Sequence, residues 1–220
     1  MFYGLKFVRI YGMIITYFGK QFFKIQQGEM VLAFNPVSKS SKTGISVHFG
    51  ADIALVTANH PDYNGVDQLS HGEREPFVIQ GPGDYEIREI FIKGVLSEVE
   101  IGGKKYMNSI YLFELDGINI AFLGAVGDAE ISKDSREAIN SPDILFIPVG
   151  GSGMLDAKQA GKLASTLEPK IIIPMDYDDK SLQAFLKEMG EEGAETAEKL
   201  TLKRKDLEGK EGEVIVLKAS

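Results

Sequence analysis

Short apolar or β-branched runs recur along most of this chain, and each stops at a turn signal, a rhythm that commits the backbone to many short strands. The runs fall at residues 14–17, 22–26, 30–34, 53–57, 77–80, 90–95, 109–115, 118–123, 144–148, 171–174 and 213–218. Gln27-Gly28 and Asp116-Gly117 stand between runs at hairpin spacing, where residues tolerant of positive φ close tight turns. Helical patterns come later and fewer, over 130–139, 156–167 and 181–188. Asp156 opens the second of these as an N-cap and Pro169 closes it. Strands in meanders followed by strand–helix alternation predict a layered α/β fold with a mixed sheet.

Composition narrows the function classes. The 220 residues carry 24 Lys+Arg against 32 Asp+Glu, so an excess of acid argues against a nucleic-acid footprint spread over the whole surface. The Lys203-Arg204-Lys205 run lies in a polar stretch, 191–210, that reads as the most flexible part, and such a run usually forms a solvated face. With no Cys there is no disulfide framework, Cys-zinc finger or iron–sulfur cluster, and the chain reads as a cytoplasmic protein whose core must hold by packing alone. Lys6 and Arg9 precede an apolar stretch over 10–19, far short of the roughly 20 residues that span a bilayer, and no small-x-small cleavage site follows. Residues 1–12 read as an N-terminal extension, with Met13 a candidate start, and 13–220 as one domain.

Familiar catalytic loops are missing. Nothing fits G-x-x-x-x-G-K-[ST] or G-x-S-x-G, and Gly81-Pro82-Gly83 lacks the third glycine of a dinucleotide fingerprint. Asp84 and Tyr85 beside it read as turn chemistry. His48 and His71 read as surface or edge-strand histidines. The segment Thr57-Ala58-Asn59-His60-Pro61-Asp62-Tyr63-Asn64 stands out because a His and an Asp two apart follow a strand, a position from which both side chains can enter a cleft.

At this segment the sequence resembles the metallo-β-lactamase superfamily, in the branch of small bacterial Zn-dependent hydrolases similar to lactonases. ITYFGKQFFKI matches the opening hairpin, ADIALVTANHPDYNGV the metal motif, and PFVIQGPGDYEIREIFIKGV the proline-glycine turn with its following strand. NSIYLFELDGINIAFLGAVG and DILFIPVGGSGMLDAKQAGKLASTLEPKIIIPMDY continue the pattern in order. The resemblance implies an αββα sandwich of two mixed sheets flanked by helices, with a dinuclear site at one edge.

The same alignment places unusual residues at the family's ligand positions. The three histidines of the first metal fall on Ala58, His60 and Val99, and the second metal's Asp and two histidines on Asp62, Tyr63 and Asp176. The bridging aspartate falls on Ala125, and a supporting histidine near the opening hairpin on Lys20. Asp128 is a candidate displaced ligand. A catalytic zinc needs three protein ligands and an open position for water, and one ligand left at the first site does not supply them. Lys20 either neutralises Asp62 and Asp176 or extends to solvent.

Three functions stay open. One is a protein of this fold that has lost its metal pair and serves a binding or scaffold role, holding no cofactor and taking a small-molecule ligand in the former metal cleft. Another is a hydrolase of esters, lactones or phosphodiesters with a rebuilt mononuclear zinc site on His60, Asp62 and Asp176, where Asp62 would be the catalytic group. The third is an unrelated metal-free enzyme or nucleic-acid binder using the same cleft. A homo-oligomer is compatible with all three.

Overall fold

The computed structural model describes residues 12–72 and 74–220. The expected extension over 1–12 lies, apart from Gly12, outside the described residues.

Alternation of buried and half-buried residues in β1 (Met13–Tyr17) and β2 (Phe23–Gln27) gives each strand one apolar face, and β3 (Met30–Phe34) follows through the Gln27-Gly28 region, Gly28 adopting φ +55°. β4 (Ile53–Val56) is buried on both faces, as a central strand must be. β5 (Phe77–Gln80) ends the first sheet, and β6 (Gly83–Ile87) begins the second. β7 (Ile90–Ile101) and β8 (Lys104–Leu115) form a long antiparallel hairpin, joined by the Asp116-Gly117 turn to β9 (Ile118–Phe122). Both turn residues have positive φ, +55° and +72°, the geometry that lets two residues reverse a twisted pair.

The remainder alternates: α1 (Lys133–Ile139), β10 (Ile144–Pro148), α2 (Ala157–Leu167), β11 (Ile171–Met175) and α3 (Asp179–Met189). β12 (Glu195–Ala197), β13 (Lys199–Leu202) and β14 (Glu213–Leu217) complete the chain. Asp156 and Asp178 cap α2 and α3, each accepting from the backbone N–H three residues on and answered by a reciprocal side-chain bond.

Two mixed sheets result, a six-stranded one ordered β13-β1-β2-β3-β4-β5 and an eight-stranded one ordered β12-β14-β11-β10-β9-β8-β7-β6. Their facing sides form the main core, in which Phe23, Phe34, Phe122 and Phe146 contact one another through ring pairs 4.8–6.0 Å apart. The helices bury Ile139, Leu163 and Phe185 against the outer side of the second sheet. Residues 37–51 and a short 3-10 turn, Val66–Gln68, cover the outer side of the first, where Phe22 and Phe49 stack and Phe18 packs tilted against both. The sandwich is thus as expected, with coil doing the covering on one flank.

Three local expectations are corrected. Asp84 and Tyr85 lie in strand β6, because pairing with Lys93 and Ile92 of β7 overrides their turn preference. The 191–210 stretch holds β12, β13 and a 3-10 turn, since Leu200, Leu202 and Leu207 bury into the main core and anchor an otherwise polar segment. β7 and β8 outrun the expected 90–95 and 109–115, the ladder continuing from Ser97 opposite Asn108 to Ile101 opposite Lys104 and closing at Gly102-Gly103.

Candidate functional site

The carboxyl ends of the parallel strands β4, β9, β10 and β11 open on one edge of the sandwich, the usual place for functional loops in parallel sheets. The loop after β4 carries Ala58, His60, Asp62 and Tyr63 and folds on itself through His60 N–H to Ala58 O and Tyr63 N–H to His60 O, both 2.8 Å. The segment after β9 presents Ala125, and β11 delivers Asp176. The β1–β2 connection brings Lys20 and Gln21, while the distal half of the β7–β8 hairpin brings Val99 and Tyr106.

At the centre, Ala58, Tyr63, Val99, Ala125 and Met154 form one buried apolar cluster, each at most 8 % exposed. Ile101 and Tyr106 pack against it from the hairpin. Asn108 pins the hairpin down: its amide donates to Ser97 Oγ (2.8 Å) and Leu123 O (2.9 Å), and its oxygen accepts the Ala125 N–H (2.8 Å). Gly153 is required here, since its φ of +97° disfavours a side chain and a β-carbon would lie 1.8 Å from Glu100 O.

Beside the cluster sits Asp176, 5 % exposed. Lys20 Nζ donates to its Oδ1 at 3.0 Å, and Gln21 Nε2 (3.1 Å) and Tyr63 Oη (2.7 Å) donate to its Oδ2. Gln21 in turn accepts from Asn35, whose side chain also accepts the Thr57 N–H and donates to Thr57 Oγ1. The network is closed, so a buried carboxylate is matched by a charge and by donors. Burial alone would lower the Lys20 pKa, but the Asp176 carboxylate, by its charge and hydrogen bond, and then Asp62 outweigh it and hold the ammonium above the ordinary lysine value. Burial first, then the charge of Asp176, pushes the Tyr63 phenol far above its usual range, which keeps its proton in place.

His60 and Asp62 form a separate, shallower pair with side chains 19 % exposed. Ser41 Oγ donates to Asp62 Oδ1 at 2.6 Å, the Asp62 N–H donates to His60 Nδ1 at 3.2 Å, and Nδ1 lies 3.9 Å from Asp62 Oδ2. Tyr63 bridges the groups, with its hydroxyl on Asp176 and its ring 5.5 Å from that of His60. Tyr106 meets His60 edge-on at 5.4 Å.

The sequence-derived site residues Lys20, Ala58, His60, Asp62, Tyr63, Val99, Ala125 and Asp176 therefore share one edge of the molecule. Asp128 does not join them: it is exposed and accepts the Glu130 N–H at 2.9 Å, closing its own turn. His48 and His71 are exposed elsewhere. Sequence reasoning missed Gln21, Asn35, Asn108 and Met154. No residue spacing announces them, because their roles depend on three strands meeting.

A metal pair does not fit these side chains. Ala58, Val99 and Ala125 offer no lone pair, Tyr63 spends its proton on Asp176, and the Asp176 oxygens are occupied by three donors, one of them cationic. Among the described residues no group of three or more His, Cys, Asp or Glu is placed to hold an ion.

A family model for the β-lactamase superfamily domain matches residues 14–176. The chain belongs to this superfamily. It is similar to a metal-dependent hydrolase of Ignicoccus hospitalis, at 24% identity over 201 residues covering 74% of this chain and 82% of that one. A solved structure from Thermotoga maritima, of the metallo-β-lactamase superfamily, superposes with a TM-score of 0.74 at 28% identity, covering 93% of this chain and 98% of the other. A second, from Parabacteroides distasonis, gives a TM-score of 0.65 at 19% identity over 82% and 90%, a likeness of fold. The protein thus has the metallo-β-lactamase fold and belongs to the β-lactamase superfamily. Among the described residues no helix is long and apolar enough to cross a membrane.

Proposed function

We propose that this superfamily member works without a metal pair, as a binding or scaffold protein rather than a hydrolase. The observation that carries the reading is Asp176: the one carboxylate buried at the family's ligand edge is fully engaged by Lys20, Gln21 and Tyr63. The apolar cluster beside it supports the same reading, because Ala58, Val99 and Ala125 fill with carbon the space where ligating nitrogen and oxygen would stand. A small-molecule ligand would meet the outer rim of this edge, where Lys20, His60, Asp62 and Tyr106 keep partial exposure.

A second reading, a mononuclear zinc hydrolase on His60, Asp62 and Asp176, draws on the closeness of His60 and Asp62, 3.9 Å apart and partly exposed. Elemental analysis of the purified protein, before and after zinc loading and dialysis, separates the two. The expected result is well under one zinc per chain, with no hydrolysis above background of lactone, phosphodiester or β-lactam substrates. Stoichiometric zinc removed by chelator, with hydrolysis lost in His60→Ala, would overturn the proposal and establish the mononuclear enzyme.

A further inference from the structure

The mismatch between these side chains and a metal pair has a positive counterpart, because the edge already holds a cation that is part of the chain. We propose that the Lys20 ammonium is the resident cation of this site: it supplies the positive charge that the buried Asp176 requires and thereby clamps the β1–β2 connection of one sheet to the end of β11 in the other. This rests on the metal-free reading above.

The geometry is more specific than a surface ion pair. Asp176 has a side chain only 4 % exposed, so an unmatched charge there would be strongly destabilising, and Lys20 Nζ stands 3.0 Å from its Oδ1. The two residues are also joined through their backbones, Asp176 N–H donating to Lys20 O at 2.7 Å, while Tyr17 Oη donates to the same carbonyl at 2.9 Å. Both occupy the left-handed region, with φ of +55° at Lys20 and +53° at Asp176. Glycine would take either conformation without the steric penalty that a β-carbon brings. A lysine at such a position, with its ammonium on a buried carboxylate, is accounted for by the charge it delivers. The Asp62 carboxylate adds to the field that keeps Lys20 protonated, and Gln21 and Tyr63, the other donors to Asp176, carry no positive charge.

A resident cation can be exchanged. Lys20→Gly suits the local φ, deletes the whole side chain, and opens a channel to solvent because the lysine side chain is itself 38 % exposed. The expected consequence is a new site for primary alkylammonium ions. In a urea unfolding series at constant ionic strength, n-butylammonium chloride should raise the midpoint of Lys20→Gly in a saturable manner, with a millimolar Kd. Tetramethylammonium, which has no N–H donor, should not, and neither ion should act on the unmodified protein beyond the sodium chloride control. The double variant Lys20→Gly, Asp176→Asn should lose at least about ten-fold in butylammonium affinity. A folded Lys20→Gly protein with the unmodified midpoint and no amine response would overturn the proposal. If Lys20→Gly does not fold, Lys20→Arg and Lys20→Met decide, since both carry the same backbone strain and differ in charge. Arginine at the unmodified midpoint with methionine below it supports the resident cation, and equal midpoints overturn it. Zinc measured on the unmodified chain reports separately on the metal-free reading, so the two failures are distinguishable.

Discussion

Tyr63 is the residue on which the two halves of the site meet. Its ring belongs to the apolar cluster with Val99 and Met154, and its hydroxyl ends on Asp176 at 2.7 Å. Tyr63→Phe keeps the packing and removes one donor from a buried carboxylate, so the loss should match that of a hydrogen bond to a charged group, roughly 1.5–3 kcal/mol. Equilibrium urea unfolding measures it, and a change under about 0.5 kcal/mol, the range of neutral surface substitutions, would mean that water replaces the hydroxyl. The neighbouring histidine behaves differently. His60 meets Tyr63 and Tyr106 through its ring and accepts a backbone N–H, so its observed contacts describe a packed loop residue that keeps one face toward solvent.

Among the elements, the β7–β8 hairpin has the largest consequence for the site. Its proximal half is ordinary sheet, while its distal half lays Val99, Ile101 and Tyr106 over the loop after β4. Asn108, wholly buried, is the fastening. Asn108→Ala would leave the Ala125 N–H and the Leu123 carbonyl without their partner inside the protein, at about 1–3 kcal/mol for each unsatisfied group. We expect a fall of about 2–6 kcal/mol in urea stability, with hydrogen exchange accelerated over 97–108 and 123–127 before the rest. Uniform exchange across the molecule would show that Asn108 does not hold the hairpin. Most strands were legible in the sequence because apolar period and turn residues coincide, as at Gln27-Gly28 and Asp116-Gly117. The distal hairpin was not, since Glu98 and Glu100 alternate with Val99 and Ile101 in a stretch that reads as polar. β13 was hidden for the same reason: Leu200 and Leu202 are isolated among charges, and pairing with β1, which turns both into the main core, explains their burial. The candidate site was legible at its ligand positions through resemblance, whereas the Gln21–Asn35–Thr57 chain that supports it follows from three-dimensional convergence alone.

At the scale of the whole molecule, the fold's tyrosines set its alkaline limit. Burial first, then Tyr177 and Asp176, raises Tyr17, and burial followed by Asp176 raises Tyr63. Burial pushes Tyr111 up to about 12, and burial with Asp179 pushes Tyr177 up to about 12. Each folded pKa exceeds the unfolded value near 10.0, so each contribution is complete below pH 10 and is lost as pH rises through the folded value. Lys20 acts in the same direction, above its ordinary 10.5. Between pH 10 and pH 11 stability should fall by roughly 1 kcal/mol for each of the buried Tyr17, Tyr63 and Tyr111, and by less for the partly exposed Tyr177, while staying level from pH 7 to 9 as far as these groups are concerned. Urea midpoints across that range, with tyrosinate absorbance followed in parallel, test the slope, and a flat profile to pH 11 would contradict it. The packed cluster at the site edge has a further meaning as a ratchet in sequence space. A histidine placed alone at Ala58, which is 2 % exposed, overpacks its neighbours at about 1–3 kcal/mol, and an aspartate placed alone at Ala125, which is 0 % exposed, buries a charge with no counterion. On the metal-free reading proposed above, no ion offsets either loss until several donors stand together, so each of these two single steps toward a metal centre leads downhill in stability, and only a concerted exchange crosses the gap.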